Sequence, residues 1–460
     1  MPDAPPRRMA WLDALRAVAA LLVVYAHLSH YLLRGARDVS AEWLHAGPAG
    51  VMLFFLVSGY IIPASLERHG DLRRFWIGRL ARLYPLYLVV CAAVAVAMPV
   101  PLTGGQMIAH LTMLPQLLGA PLVTPVVWTL GFEMAFYLVV AALFALNWHR
   151  SSATAAIVLA VAGVVLAPLS AHAIAAPPLL VAVMLAAGLV ALVSRRRLAM
   201  IAGAVVLLAL AGTLLVAGQD RSHVWDGLLI PAVMFVGTTI YRAENRQIPK
   251  YRAAAAAGVV AAALLVNWFA ELVSLHALTP RYMARSVITL LVIGGSFAIG
   301  MACRHRRVPR RLAWVGVISY SIYLIHVPLI GLLAPALTTL GDRLRGPVEL
   351  FAVAGFLGLL LGLSWLAHRY IELPGQRLGR RLAPSQRLAP GLKLAPGQRL
   401  APGLKLAPGL KLAPGHRLAP GEKLAPGPGL ATNEDDADQQ RKHRDAAEEQ
   451  AVGERLRVAD

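Results

Sequence analysis

The sequence predicts an all-α protein, a polytopic bundle of 10–12 transmembrane helices followed by a low-complexity, disordered C-terminal tail. Two observations support the bundle. Of the 460 residues, 58% are hydrophobic and only 15% are charged, whereas soluble domains carry about 25% charged residues. Apolar runs of membrane-spanning length also recur from residue 11 to residue 371, which excludes a soluble domain with a single anchor.

Twelve apolar segments are the candidate spans. They are 11–33, 47–66, 81–99, 125–147, 153–170, 178–194, 198–218, 224–241, 252–275, 285–303, 312–336 and 348–371. Segments 178–194 and 224–241 are short, which is typical of partial or re-entrant segments. The first segment is too long for a signal-peptide core, and no small-residue cleavage site follows it.

The loops alternate in basic character, and the alternation predicts the orientation. Arg7 and Arg8 precede the first segment and the loop at 67–82 is rich in arginine, whereas 100–124 contains no Lys or Arg. Because basic residues concentrate on the cytoplasmic side, we expect both termini to lie in the cytoplasm. These loops and the basic tail explain the net charge of +20, and no nucleic-acid recognition module accompanies it.

The composition changes abruptly near residue 376. Residues 1–375 form the predicted transmembrane domain, 376–430 carry a hexapeptide repeat of the form K/R-L-A-P-G-x, and 431–460 are dense in both charge signs. Regular Pro and Gly favour an extended, flexible chain, and the charged end is predicted to be disordered. The repeat is either a basic strip against the anionic inner leaflet or an expanded tandem DNA repeat without a role, which we favour.

Arg16 and His27 are the first candidate site residues. Eleven residues of helix place them on one face, about 16 Å apart along the axis. A charged and a titratable residue inside a membrane-length segment are costly and mark functional positions. Alternatively, Arg16 extends to the interface and His27 only packs. Asp13 lies one turn before Arg16 and can pair with it.

Two further segments carry polar residues near the basic end. Ser58 precedes Gly59 in an aromatic-rich segment, where the pair makes room either for a ligand or for close helix packing. Arg79 and Arg82 are three residues apart and share a helix face. Guanidinium groups suit phosphate oxygens, although arginine is also an ordinary residue of cytoplasmic loops.

The remaining embedded polar groups lie in the segments around 125–147 and 312–336. Glu133 needs a partner in its apolar helix, and Tyr137 lies one turn deeper. Tyr323 and His326 share a face within SYSIYLIHVPL. The basic end therefore suits a phosphate-bearing donor, and the end with His27 suits proton transfer, because a histidine can act as general base on a hydroxyl.

No metal site and no permanently bound cofactor are expected. Cys91 and Cys303 lie in separate apolar segments, and they form neither a metal-ligand spacing nor a disulfide framework. The chain also lacks HExxH, a P-loop and a dinucleotide-binding glycine motif after a strand.

In this arrangement the chain resembles the membrane-bound acyltransferase family 3, the O-acetyltransferases that modify bacterial surface sugars. The matching segments are LDALRAVAALLVVYAHL, MLFFLVSGYII, RRFWIGRLARLYPLY, VVWTLGFEMAFYLVV, WVGVISYSIYLIHVPLI and HRYIELPGQRL. They span 12–378 in the family's order, and the spacing of Arg16 from His27 and of Arg79 from Arg82 is most specific. The family is usually drawn with fewer than twelve helices. If twelve spans are too many, we expect the surplus spans to lie in the region 153–303.

The resemblance implies an O-acyltransferase of the bacterial inner membrane. Its co-substrate would be acyl-CoA, usually acetyl-CoA, and its acceptor a carbohydrate or glycolipid such as lipopolysaccharide. It implies catalytic roles for His27, as the base, and for Arg16 and Glu133, with acyl-CoA bound by Arg79 and Arg82. The implied substrate-pocket residues are Ser58, Trp128, Tyr137, Tyr320, Tyr323 and His326. Met134 stands where the family often has a second acid, so the mechanism cannot depend on an acid pair.

Two alternatives stay open at this point. Transfer through a covalent acyl-enzyme is compatible with the sequence, as is direct transfer. A proton-coupled transporter or flippase for a sugar or lipid would use the same buried Arg, His and Glu, although no internal inverted repeat is visible in the sequence.

Overall fold

The computed structural model describes residues 9–98, 101–166, 177–217, 227–344 and 346–383. Within these ranges the chain forms sixteen α-helices and no β-strand, which confirms the all-α class. The helices are α1 Ala10–Leu28, α2 Arg34–Trp43, α3 Ala46–His69, α4 Leu72–Ala97, α5 Gly104–Leu111, α6 Trp128–Ala145, α7 Ser152–Leu166, α8 Pro178–Leu192, α9 Arg197–Ala217, α10 Leu229–Glu244, α11 Lys250–Ser274, α12 Pro280–Ala302, α13 Arg310–Val317, α14 Ser319–Arg343, α15 Pro347–Ala367 and α16 Leu373–Leu382.

The helix lengths confirm a polytopic membrane protein. In the described ranges, nine helical stretches are long and apolar enough to cross a membrane. Helices α7 and α8 have 15 residues each and α10 has 16, fewer than the roughly 20 needed for a full span. The predicted segments 178–194 and 224–241 are therefore short helices, as expected. Segment 153–170 is helical only to Leu166, and its last four positions lie outside the described residues.

Two predicted boundaries need correction. The third segment was expected from residue 81, but α4 begins at Leu72, because the carboxylate of Asp71 accepts a hydrogen bond from the backbone N–H of Arg74 at 3.1 Å and caps the helix. The boundary at residue 375 falls inside α16, which continues to Leu382. The hexapeptide repeat beyond Ala383 and the charged segment 431–460 lie outside the described residues.

Close helix crossings surround α1 and α3. Helix α1 contacts α3, α12, α13 and α14, and α3 contacts α10 along much of its length. At the second crossing, a Cβ added to Gly59 would lie 1.8 Å from the carbonyl oxygen of Met234, and one added to Gly237 would lie 2.2 Å from that of Leu56. Thr238 Oγ1 also donates to the Gly59 carbonyl at 2.8 Å. Gly59 therefore serves packing, the second of the two interpretations of the Ser58–Gly59 pair.

We expect Gly59→Ala to prevent folding, because its methyl group would collide with the α10 backbone, which cannot move aside as a flexible side chain can. The folded, monodisperse fraction after detergent extraction, measured by size-exclusion chromatography, should fall severely. Gly258→Ala is the matched control, since a Cβ at that position of α11 meets nothing within 4 Å. Equal folded yields of the two variants would contradict this account of the crossing.

Candidate active site

One cavity lies between α1, α3, α4, α6 and α14, toward the end of the bundle where α1 begins. It encloses about 700 Å³ of space free of atoms, including its open part. Three arginines, Arg16, Arg79 and Arg82, line it together with Glu133 and Ser58. Tyr320 and Tyr323 from the first turns of α14 complete the polar lining. We call it the arginine cavity.

The arginine cavity has an excess of positive charge. Arg16 Nη1 lies 3.8 Å from Asp13 Oδ1, and Glu133 is the carboxylate of the lining. Arg79 and Arg82 add two cations, so three guanidinium groups face two carboxylates. A phosphate or another anionic group in this space would meet a favourable potential.

Arg79 is held in a defined position. Its Nη2 donates to Ser65 Oγ at 2.8 Å, and its guanidinium carbon lies 5.4 Å from the ring centre of Phe75 and 5.5 Å from that of Tyr137. Cations at such distances are attracted to the aromatic face. Tyr137 is 1% exposed and donates to Glu133 Oε1 at 2.5 Å. Tyr137 therefore supports Arg79 and Glu133 from behind and does not line the cavity as a substrate contact.

A second cavity lies toward the other end of the bundle. It is larger, with about 1790 Å³ of space free of atoms, and it is bounded by the end of α1, the start of α3, the end of α11 and the start of α12. We call it the histidine cavity because His27, His30 and His45 line it. Its wall also contains Trp128, Trp268, Glu271, Arg285 and Ser286.

The two cavities adjoin at Val51 and Tyr323, which line both. Thr129 Oγ1 donates to the Tyr323 hydroxyl at 2.9 Å, and the Tyr323 ring packs edge-on against Phe54 with 5.8 Å between ring centres. The cation-lined space and the histidine-lined space therefore share one side chain of α3 and one of α14 in their linings.

The two histidines at helix ends around His27 are neutral near pH 7. Burial, with a smaller contribution from the neighbouring Arg285, lowers the pKa of His45 to about 4. Burial also lowers the pKa of His30, with smaller contributions from Arg37 and His27. His30 and His45 are therefore weak proton acceptors at neutral pH.

His27 contacts a second histidine on its buried side. Its Nδ1 lies 2.9 Å from the carbonyl oxygen of Val23 and 3.4 Å from Nε2 of His326. His326 is 0% exposed and lines neither cavity. It was predicted as a substrate-pocket residue, but α14 places it behind His27, where its ring fills the space between α14 and α1.

The structure thus divides the predicted site residues between two spaces. Most of them lie in one cavity: Arg16, Ser58, Arg79, Arg82, Glu133, Tyr320 and Tyr323. His27 and Trp128 lie in the other cavity, which Tyr323 also reaches. The sequence interpretation missed Glu271 and Arg285, although a charge inside an apolar segment is the signal that identified Glu133. It also missed Trp268 and Ser65, for which no sequence signal existed.

In the part of the chain that the structure describes, no group of three or more His, Cys, Asp or Glu side chains is arranged to hold a metal ion.

Comparison with known proteins shows which family the chain belongs to. A family model described as an acyltransferase domain matches residues 9–179 and 175–369, which is most of the chain. The chain belongs to acyltransferase family 3. This confirms the resemblance that the motifs indicated, and the match covers every helix that lines the two cavities. No solved structure matches the chain significantly.

Individual relatives are similar over shorter stretches. Acyltransferase MdmB of Streptomyces mycarofaciens is 32% identical over 152 residues, which is 29% of this chain and 39% of MdmB. A Staphylococcus aureus protein named "Putative O-acetyltransferase" is 37% identical over 97 residues, 20% of this chain and 14% of its own length. Protein 2 in the picA locus of Rhizobium radiobacter is 34% identical over 100 residues, 21% and 48% of the two chains. The matches therefore span less than half of these relatives.

We expect Glu133→Gln to lower the thermal unfolding midpoint by a few degrees in detergent. Glutamine keeps an oxygen that accepts from Tyr137 but removes the charge that balances Arg16, Arg79 and Arg82, so repulsion between the cations rises. Differential scanning fluorimetry measures the shift. Asp38→Asn, the same chemical change at an exposed position of α2, is the control. An unchanged midpoint in Glu133→Gln would refute the electrostatic balance.

Proposed function

We propose that the protein is an integral membrane O-acyltransferase that moves an acetyl group from acetyl-CoA to a hydroxyl of a carbohydrate or glycolipid. One observation carries the proposal: in a chain of acyltransferase family 3, an arginine-lined cavity and a histidine-lined cavity adjoin at Val51 and Tyr323. Such an arrangement brings an anionic donor and a hydroxyl acceptor to one place from opposite ends of the bundle.

The orientation follows from the basic loops. The arginine cavity lies at the end where α1 begins, and Arg73 and Arg74 stand in the first turn of α4 at the same end. Because basic residues prefer the cytoplasmic side of a membrane, we expect this end to face the cytoplasm, where acyl-CoA is available, in a bacterial inner membrane. The histidine cavity then faces the other side.

Acetyl-CoA fits the arginine cavity by charge. Arg79 and Arg82 offer forked N–H donors to phosphate oxygens, and the excess positive charge of the lining favours an anion. The pantetheine arm would pass Ser58 and Tyr320 toward Tyr323. Its thioester carbonyl would then reach the junction with the histidine cavity.

The acceptor fits the histidine cavity by shape and polarity. Trp128 and Trp268 offer flat apolar surfaces for the C–H faces of a sugar ring, and Glu271 and Ser286 offer polar groups to its hydroxyls. This combination favours a carbohydrate over a purely apolar acceptor. The space of about 1790 Å³ also admits a group attached to a longer glycan or lipid.

The proposed chemistry needs one base. His27 takes the proton of the acceptor hydroxyl, and the oxygen attacks the thioester carbonyl carbon. The new C–O ester bond forms, the C–S bond of the thioester then breaks, and the imidazolium gives its proton to the leaving CoA thiolate. No other group is consumed, and the histidine ends the cycle neutral.

We expect His27→Gln to reduce acetyl transfer about 100-fold to 10,000-fold while acetyl-CoA still binds, because the donor lies in the other cavity. The assay follows the acetyl label from acetyl-CoA into membrane glycans in vesicles that contain the purified protein. His305→Gln, the same change at an exposed loop position, is the control. Sugar or lipid transport by the wild type without acetylation would instead establish the transporter alternative.

We expect Arg79→Ala and Arg82→Ala each to weaken acetyl-CoA binding about tenfold to a hundredfold, the range for a lost hydrogen bond to a charged group. Calorimetry of the purified protein with CoA measures the change. Arg73→Ala removes the same charge from an exposed position of the same helix and should leave the affinity nearly unchanged. Equal losses in all three variants would contradict a specific donor site.

A further inference from the structure

His326 has a defined tautomer in this fold. Its Nδ1 faces two backbone oxygens, that of Tyr323 at 2.8 Å and that of Ile322 at 3.2 Å. A carbonyl oxygen only accepts hydrogen bonds, so Nδ1 carries the hydrogen and donates it. In the neutral ring, Nε2 therefore holds the lone pair, and this atom points toward α1.

The same reasoning orients His27. Its Nδ1 lies 2.9 Å from the carbonyl oxygen of Val23, so it carries a hydrogen. Nε2 of His326 lies 3.4 Å from this nitrogen. The Nδ1–H group of His27 therefore makes a bifurcated hydrogen bond, which the Val23 oxygen and the Nε2 lone pair of His326 both accept. Nε2 of His27 is left with its lone pair and has no hydrogen-bond partner among the described residues. His27 itself lines the histidine cavity.

We propose that His326 is a positioning residue that, together with the Val23 carbonyl, holds His27 in the Nδ1–H tautomer, leaving Nε2 as the base, and that accepts a hydrogen bond from the imidazolium during transfer. This inference rests on the proposed function, since it assigns His27 the role of base. In Ser-His-Asp triads a carboxylate takes this place. A neutral imidazole avoids the cost of burying a charge among apolar helices.

The alternative is packing alone. The two rings lie edge to face, with centres 5.0 Å apart and an angle of 69° between their planes, and such pairs stabilise through shape and quadrupole without a hydrogen bond. Packing predicts that an apolar residue of similar size can replace His326 without changing the proton affinity of His27. The proposal predicts that it cannot.

Other titratable or charged groups also surround His27, and they are the same in every variant compared. They are Tyr25 on α1, His30 just after α1, Arg37 on α2, His45 at the start of α3, Glu271 on α11, Arg285 on α12 and Tyr323 on α14. Because none of them is changed, a shift of the pH profile in a His326 variant reports on the His27–His326 contact.

The first test compares His326→Leu and His326→Gln in the full-length protein, purified in lipid and checked for folding by size exclusion. In His326→Leu we expect kcat for acetyl transfer to fall about tenfold to a hundredfold. The acid limb of the pH profile should move about one pH unit lower, because the imidazolium has lost an acceptor and forms less readily. KM for acetyl-CoA should stay unchanged, since the donor lies in the arginine cavity.

Glutamine provides the rescue. Its side-chain oxygen can accept from His27 Nδ1, so His326→Gln should restore most of the acid limb toward the wild-type position. A His326→Leu variant with reduced kcat but an unmoved acid limb would overturn the proposal in favour of packing. A His326→Leu variant with wild-type kcat and profile would overturn it as well.

The second test does not require activity. Nitrogen-15 solid-state NMR of the histidine-labelled protein in lipid, with His27 assigned by difference from His27→Gln, reports which ring nitrogen is protonated. We expect Nδ1–H in the wild type and, because the Val23 carbonyl still accepts from Nδ1, also in His326→Leu, where the Nδ1 resonance shifts because one of its two acceptors is lost. A hydrogen on Nε2 of wild-type His27 would overturn the proposal.

A wild type that transfers no acyl group would refute the proposed function, whereas an active wild type with an unmoved acid limb in His326→Leu refutes only the role of His326.

Discussion

The structure depends on one constraint, which is that polar groups carried into an apolar helix bundle must find partners there. Helix α1 brings Asp13, Arg16 and His27 into the bundle. Arg16 lies beside Asp13 and in a cavity that α3, α4, α6 and α14 also line, and His27 contacts His326 of α14. The same constraint is met elsewhere: Arg242 pairs with Glu67, and the buried Glu372 accepts from Ser321 and from His368. Partnered polar groups at such positions tie distant helices together as well as carrying chemistry.

The two cavities differ in how their polar groups are supported. In the arginine cavity, Arg79 is held by Ser65 and by two aromatic rings, so its guanidinium group has little conformational freedom. In the histidine cavity the imidazoles of His30 and His45 are kept neutral by burial and neighbouring arginines. A cationic space beside a space that contains neutral imidazoles would suit the proposed separation of an anionic donor from a hydroxyl acceptor.

The junction between the cavities has consequences for the proposed transfer. Val51 and Tyr323 belong to both linings, and Tyr323 is fixed by Thr129 and Phe54. Such a junction would let a small acyl group meet the acceptor while the rest of the donor stays in the arginine cavity and the rest of the acceptor stays in the histidine cavity. Only the residues of the junction then have to discriminate short acyl groups from long ones.

The sequence by itself determined the membrane class, the helical segments and the residues worth examining, because apolar periodicity and the cost of an embedded Arg16, His27 or Glu133 are local properties of the chain. It also determined the family through the order of its motifs. Only the tertiary structure decided that Arg16 and His27 serve different cavities, that Tyr137 and His326 stand behind the site, and that Gly59 is a packing residue. These features depend on contacts between helices far apart in the chain, and spacing along one helix contains no information about what the neighbouring helix presents.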